Sequence, residues 1–340
     1  LATEADIHDD IAQRHGDDLA IAAENWVRPE DSCRDLNTSS PATTALAILV
    51  SLVCLAMLAT APALLFAIGL VLALGSLMVS QGMKLAALIA VPRRLAPPRH
   101  ALPADPPVVS ILVPLFHEQE IARTLVKRLS RLTYPKSLLD VVLVLEAEDT
   151  VTRATIERTA LPPWIRTIVV PPGRIRTKPR ALNYAFHFTR GAIVGIYDAE
   201  DAPAPDQIDH VVSAFETAAP EVGCLQGILD FYNPRANWLS RCFAVEYASW
   251  FRILLPGFAR MGFAVPLGGT TVFFRREALE EVRGWDAHNV TEDADLGIRL
   301  ARYGWRTEMI RSVTREEANN RFWPWIKQRS RWLKGYVITW

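Results

Sequence analysis

The sequence predicts an α/β domain built on a parallel sheet and preceded by two membrane-spanning helices. Three observations carry that expectation. Residues 43–80 contain no charged side chain. Four short runs rich in Val, Ile and Leu between residues 108 and 198 alternate with segments of helical periodicity. The second and fourth of those runs each end in a cluster of acids.

A bilayer core takes about 20 apolar residues per helix. The stretch 43–92 holds two such lengths, divided at Ala61-Pro62, with Lys84 the only charge before Arg93. A cleaved leader fits poorly, because the run is too long and too far from the start. Two spans leave both flanks on one side, and Arg93, Arg94 and Arg99 place that side in the cytosol. Residues 1–42 are polar, with Asp9, Asp10, Asp17 and Asp18 and a helical pattern from Ala5 to Ala23. They are expected as a cytosolic extension, or the end of a truncated domain, without chemistry of their own. Residues 93–107 hold Pro97, Pro98, Pro103, Pro106 and Pro107, a stiff linker.

Totals narrow the class further. The chain has 340 residues, half of them hydrophobic, which suits a sizeable globular core. Lys and Arg number 37 and so do Asp and Glu, so there is no basic excess to draw nucleic acid. Cys33, Cys54, Cys224 and Cys242 form no CxxC pair and read as reduced thiols.

Strands are expected at 108–116, 138–146, 165–172 and 192–198. Between them come helices over 117–135, stopped at Pro135, over 151–160, and over 179–191, ending at Gly191. This alternation implies a parallel sheet, whose ligands sit at the carboxyl ends of the strands. The acids lie there: Glu146-Ala147-Glu148-Asp149 after the second strand and Asp198-Ala199-Glu200-Asp201 after the fourth. Carboxylates crowded at a buried strand end repel one another unless a cation compensates, and a divalent metal is the simplest one. The alternative is a solvated acidic loop capping the next helix. Two clusters on neighbouring strand ends favour the metal, with Asp198 and Glu200 aimed at one ion.

Other segments carry two readings each. Thr291-Glu292-Asp293-Ala294-Asp295 opens a helix running to Gly304, and Thr followed by acids is also an N-cap signature. Lys178, in Thr177-Lys178-Pro179-Arg180, suits phosphate at a helix start or is a plain basic turn. Gly268, Gly269 and Thr270 precede a strand at 271–276. They allow close backbone approach of a ligand or form a tight turn. Gln328-Arg329-Ser330-Arg331-Trp332, among Trp323, Trp325, Tyr336 and Trp340, reads as an amphipathic helix at a membrane interface. There is no HExxH, GxGxxG or P-loop, and the sequons at Asn37 and Asn289 fall on the cytosolic side.

Taken in order, these motifs resemble glycosyltransferase family 2, in its membrane-integrated branch of cellulose-synthase-like and bacterial polysaccharide synthases. The family shows a first acid after the second strand, a DxD-type motif, a TED motif and a QxxRW motif, matched here by Glu146–Asp149, Asp198-Ala199-Glu200, Thr291-Glu292-Asp293 and Gln328–Trp332. The resemblance covers residues 105–340 and the spans before them. It implies a glycosyltransferase-A (GT-A) type domain, Rossmann-like, with a parallel or mixed sheet, and an inverting transfer from a nucleotide-sugar such as UDP-glucose to a growing β-linked glycan.

The resemblance also implies roles. Glu146 or Asp149 would hold the nucleotide, and Asp198 and Glu200 would bind Mg²⁺ or Mn²⁺ and the donor diphosphate, with Lys178 and Arg331 touching the donor. Asp293 would be the general base. Gly268, Gly269, Thr270, Glu292, Gln328 and Trp332 would meet the acceptor, Trp332 by stacking. This sequence departs from the family's Asp-Asp pair at 146–149 and has Glu200 where an Asp is usual. The implied partners are a nucleotide-sugar donor, a glycan acceptor, the lipid bilayer and accessory synthesis or export subunits. The expected division is 1–42 extension, 43–92 two transmembrane helices, 93–107 linker, 108–321 catalytic domain and 322–340 interface helix, truncated before further membrane helices. Transfer of one sugar to a lipid carrier and an inactive membrane scaffold are the competing readings.

Overall fold

A computed structural model describes residues 4–35, 41–91, 102–118 and 121–339. The expected linker residues Pro97 and Pro98, the arginines at 93, 94 and 99, and Trp340 lie outside the described residues. Helix α1 spans Glu4–Glu24. The two apolar helices follow, α2 (Pro41–Thr60) and α3 (Pro62–Ala90), each long and apolar enough to cross a membrane. Pro62 opens α3, where its missing N–H costs nothing.

The α/β domain then runs β1 (Val109–Leu115), α4 (Ile121–Ser130), β2 (Leu139–Glu146), α5 (Thr150–Glu157), β3 (Ile165–Val170), α6 (Lys178–Phe186) and β4 (Ile193–Ile196). It continues with β5 (Ala202–Pro203), α7 (Gln207–Thr217), β6 (Val222–Phe231), α8 (Trp238–Ser249) and a π-helical turn at Trp250–Leu254. The last elements are α9 (Leu255–Arg260), β7 (Val272–Arg275), α10 (Arg276–Glu281), α11 (Glu292–Arg302), β8 (Arg306–Glu316) and α12 (Phe322–Thr339). The four expected strands are present and parallel, in the order β3-β2-β1-β4. The sheet as a whole is mixed, continuing β7-β6-β8-β5. β7 is antiparallel to both β4 and β6, and β6 is parallel to β8.

Every residue of β2 is buried. Alternate residues feed opposite layers: Val142 and Val144 pack on one face, Val141, Leu143 and Leu145 on the other. This two-sided burial is why the strands read as continuous apolar runs. The expected helices are shorter than their patterns. α6 ends at Phe186 rather than Gly191 because the chain must turn into β4, where Gly191 N–H donates to Ser110 Oγ at 2.8 Å.

The N-terminal segment packs on the α/β domain. Ala20 and Ala23 of α1 are buried in the same cluster as Tyr184 and Ala185 of α6. Asn183 Nδ2 donates to Ala23 O at 3.0 Å and to Trp285 O at 2.7 Å. Near its C-terminal end, α3 closes on α9: Ala87 is fully buried, and a Cβ on Gly257 would overlap Ala87 backbone. Gly257→Leu should therefore push the two apart and destabilise the domain by about 1–3 kcal/mol, read as a lowered Tm in detergent. An unchanged Tm would show that the contact does not support the domain.

Candidate active site

A cleft of about 470 Å³ opens at the carboxyl ends of β1, β2 and β4. Glu146, the last residue of β2, Lys178, the first of α6, and Asp198 and Glu200, just past β4, all line it. Phe116, 45% exposed, and Arg176, whose guanidinium lies 5.3 Å over the Phe116 ring, form its outer wall.

Lys178 organises the interior. Its Nζ pairs with Asp198 Oδ1 and donates to Gly269 O at 3.1 Å. Burial alone would lower its pKa, but Asp198, Glu292 and Asp293 reverse that and hold it protonated well above its usual range. The acids around it are crowded. Burial and Asp198 raise the pKa of Glu200 and push that of Asp201 well above its usual range. Burial followed by Asp201, Asp198 and Glu200 does the same to Glu316. Asp201 Oδ2 caps Asp198 N–H at 2.7 Å and accepts from Thr270 Oγ1, but its buried Oδ1 has no hydrogen-bond partner.

Among the described residues no three His, Cys, Asp or Glu side chains are set to hold a metal by themselves. Asp198 and Glu200 nevertheless fit a divalent ion that takes its other ligands from substrate phosphates and water, as Mg²⁺ does. The acids lining the cleft, Glu118, Glu146, Asp198 and Glu200, outnumber Arg176 and Lys178, which points the same way.

The first acidic cluster divides. Asp149, 3% exposed, is the N-cap of α5: it accepts from Thr152 N–H at 3.1 Å, from Thr152 Oγ1 at 2.6 Å and from His117 N–H at 2.6 Å. Despite burial, those bonds hold its pKa below the usual carboxylate range. Glu146 is the acid of the pair that faces the cleft. The helix-capping reading thus describes Asp149, through a side chain already bonded on both oxygens.

Asp293 lies on the far side of Lys178. Its Oδ2 accepts Gly269 N–H at 2.6 Å and its Oδ1 accepts Ala294 N–H at 2.8 Å. Burial raises its pKa against those two bonds, and burial and Asp293 raise that of Glu292 to about 7. Thr291 occupies the N-cap of α11 but makes no side-chain cap bond. Asp295 is taken by Arg299 at 2.7 Å. The loop 268–271 lies between the two acid groups. Gly268 N–H donates to Gln226 Oε1 at 2.9 Å, and Thr270 is buried against Asp201. Positive φ at Thr271 (55°) and His117 (58°) marks strained backbone on both flanks.

α12 crosses the start of α11, with Gly335 packed so closely on Thr291 that a Cβ there would overlap it. Gln328 accepts from Asn319 Nδ2 at 3.2 Å. Trp332 is half-buried, its ring 6.2 Å from Phe243. Arg331 is exposed and does not line the cleft. The basic residue turned inward is Arg329, which pairs with Glu246 and lies 4.8 Å over the Trp332 ring. Two residues along a helix rotate by about 200°, so Arg329 and Arg331 cannot share a face. Gln226 and Glu316 are site neighbours outside the sequence motifs, while Arg180 and Asp201 stand inside those motifs without a role of their own. A buried polar residue inside an apolar strand, as at Gln226, was the available signal.

The geometry can be set beside known proteins. A family model described as glycosyltransferase like family 2 matches residues 106–335. Beta-monoglucosyldiacylglycerol synthase from Nostoc sp. is 28% identical over 248 residues, covering 71% of this chain and 52% of the relative. The synthase of the same name from Synechocystis sp. is 29% identical over 237 residues, covering 67% and 48%. Probable glycosyltransferase YdaM from Bacillus subtilis is 26% identical over 237 residues, covering 68% and 56%. The chain spans about half the length of these curated relatives. Among solved structures, a mannosyltransferase from Pyrobaculum calidifontis in complex with GDP-Man and Mn²⁺ superposes with a TM-score of 0.59 at 24% identity, covering 77% of this chain and 70% of that one. The shared fold is of the GT-A type. Since the family match runs from just before β1 into α12, over the whole mixed sheet and the cleft at its strand ends, this chain belongs to glycosyltransferase family 2.

Proposed function

We propose that the chain is the catalytic part of a membrane-anchored, inverting glycosyltransferase that takes a sugar from a nucleotide-sugar donor at the cytosolic face. The observation that carries this is one ammonium, Lys178, standing between the cleft acids Asp198 and Glu200 on one side and Asp293 on the other. A donor in the cleft would place its diphosphate by Asp198, Glu200 and Lys178 and its base by Glu146, Phe116 and Arg176. A divalent ion held by Asp198 and Glu200, Mg²⁺ or Mn²⁺, would supply Lewis-acid stabilisation of the diphosphate. The Mn²⁺ in the mannosyltransferase complex supports that assignment.

The chain's own residues supply the rest. Asp293, fixed by the Gly269 and Ala294 amides, takes the proton of the acceptor hydroxyl as its oxygen attacks the anomeric carbon. The bond to the diphosphate breaks, and Lys178 offsets the charge that gathers there. A single displacement inverts the anomeric centre, so a second catalytic carboxylate is not required.

For the acceptor, the QxxRW motif on α12 supports a growing β-linked polysaccharide, made with UDP-glucose as donor. A lipid acceptor is the second reading, favoured by the names of the two cyanobacterial relatives and by the exposed Trp323, Leu333 and Val337 of α12. A panel of UDP- and GDP-sugars with Mg²⁺ or Mn²⁺, followed by solvent partition of the product, separates them. Polymer in the aqueous phase supports the first reading and labelled lipid the second. No transfer from any donor overturns the enzyme assignment.

Two outcomes follow from the site. Asp293→Asn should cut kcat by about 10²–10⁴-fold while donor binding persists, and EDTA should abolish wild-type turnover until Mg²⁺ or Mn²⁺ is restored. Full activity of Asp293→Asn would remove it as the base. The second outcome concerns pH. Glu292 ionises near 4.5 in a free chain but near 7 in the fold, so folding favours its neutral form. Its penalty is absent below the unfolded value, grows as pH rises from about 5 to 7 and is constant above. Without metal or donor, Glu292→Gln should raise Tm at pH 8 and leave it nearly unchanged at pH 5. An equal shift at both pH values would contradict the raised pKa.

A further inference from the structure

Glu24, the last residue of α1, is only 5% exposed and has no part in the chemistry above. Its Oε1 accepts Arg174 N–H at 2.7 Å and Ile175 N–H at 3.4 Å, and lies 3.4 Å from Arg180 Nε. Arg180 is fully buried. Its Nη1 sits 3.5 Å from Glu146 Oε2, and its Nη2 donates to Pro171 O. One guanidinium is therefore shared between a carboxylate of the N-terminal helix and a carboxylate that lines the cleft. The loop is closed tightly over this pair, because a Cβ on Gly173 would overlap both Glu24 and Arg180.

Buried charges persist only when paired and hydrogen-bonded, and removing one partner disturbs the others. Without Glu24, two backbone amides ahead of α6 lose their acceptor. Arg180 is then left with Glu146 as its one carboxylate partner and draws that carboxylate away from the cleft. The same loop carries Arg176, Thr177 and, at the start of α6, Lys178, all of which line the cleft.

The geometry points to Glu24 as a positioning residue for the donor nucleotide. Through Arg180 and the 174–175 amides it holds Glu146 and the Arg176–Lys178 segment in their cleft-facing places. The helix that precedes the membrane spans in the chain is thereby part of the support of the donor site, and its docking sets nucleotide affinity. This rests on reading the cleft as the donor site.

The test uses the full chain in detergent, titrated with UDP and GDP in Mn²⁺, together with steady-state kinetics on whichever donor turns over. Glu24→Ala should weaken nucleotide binding and raise the donor KM about tenfold, with kcat within about twofold of wild type. Glu24→Gln keeps an oxygen for the two amides and should recover part of that affinity. A merely structural role would lower the folded, active fraction, and so kcat, at constant KM; that result overturns the proposal. So does equal nucleotide binding by wild type and both variants. If Glu24→Ala does not fold, Glu24→Gln decides alone: a raised KM supports the proposal and an unchanged KM overturns it. If wild type binds neither nucleotide, the reading of the cleft fails, and the proposal, which rests on it, is overturned with it.

Discussion

Carboxylates gathered at the end of a buried sheet are the constraint around which this molecule is arranged. Burial and the neighbouring Asp198 raise the pKa values of Glu200 and Asp201, burial with Asp201, Asp198 and Glu200 raises that of Glu316, and Glu292, raised by burial and Asp293, stands in a second such group. Like charges in a low-dielectric setting are costly unless a cation or donors offset them. Lys178 answers both groups, and its position depends on three separate elements: the start of α6, the end of β4 and the loop before β7. The antiparallel insertion of β7 between β4 and β6 is what carries Gly269 and Thr270 into the gap. There one backbone amide serves Asp293 and one hydroxyl serves Asp201.

The surrounding helices give that arrangement a fixed frame. α3 meets α9 where Gly257 leaves room for Ala87, and α12 meets α11 where Gly335 leaves room for Thr291. Both contacts are backbone-close, so a small change of side-chain size is felt at once. α1 closes the opposite side over α6. The α/β domain is thus gripped by elements from before and after the apolar helices, and the aromatic layer of Phe231, Phe243, Tyr247 and Trp332 links α12 to β6.

Much of this was legible beforehand. Continuous Val, Ile and Leu runs marked β1 to β4, and the acids after β2 and β4 marked the edge where the cleft opens. Lys178, which had a structural alternative open, and Asp293 lie beside one another across Gly269. Other details were not legible. Glu146 and Asp149 are three residues apart and equally acidic, yet one faces the cleft and the other caps α5. Arg329 and Arg331 differ only in helical phase. Gln226 and Glu316 look unremarkable in sequence because the residues they meet lie tens of positions away, as with Gln226 and Gly268. The acidic N-terminal segment carried a helical pattern but no sign of its docking surface.

Read along the chain, the residues specify periodicities and an order of motifs: apolar helices long enough for a bilayer, alternation of strand and helix, acids at strand ends, glycines at close approaches. These are local or nearly local properties, fixed by side-chain spacing and by φ, ψ preference. The pairing of charges arises only on folding: which carboxylate faces the cleft, which arginine turns inward, and that Glu24 and Glu146 share Arg180. A charge's partner depends on distance in space rather than in sequence. The strength of the interaction depends on how much water packing has removed, and neither quantity exists until the chain has folded.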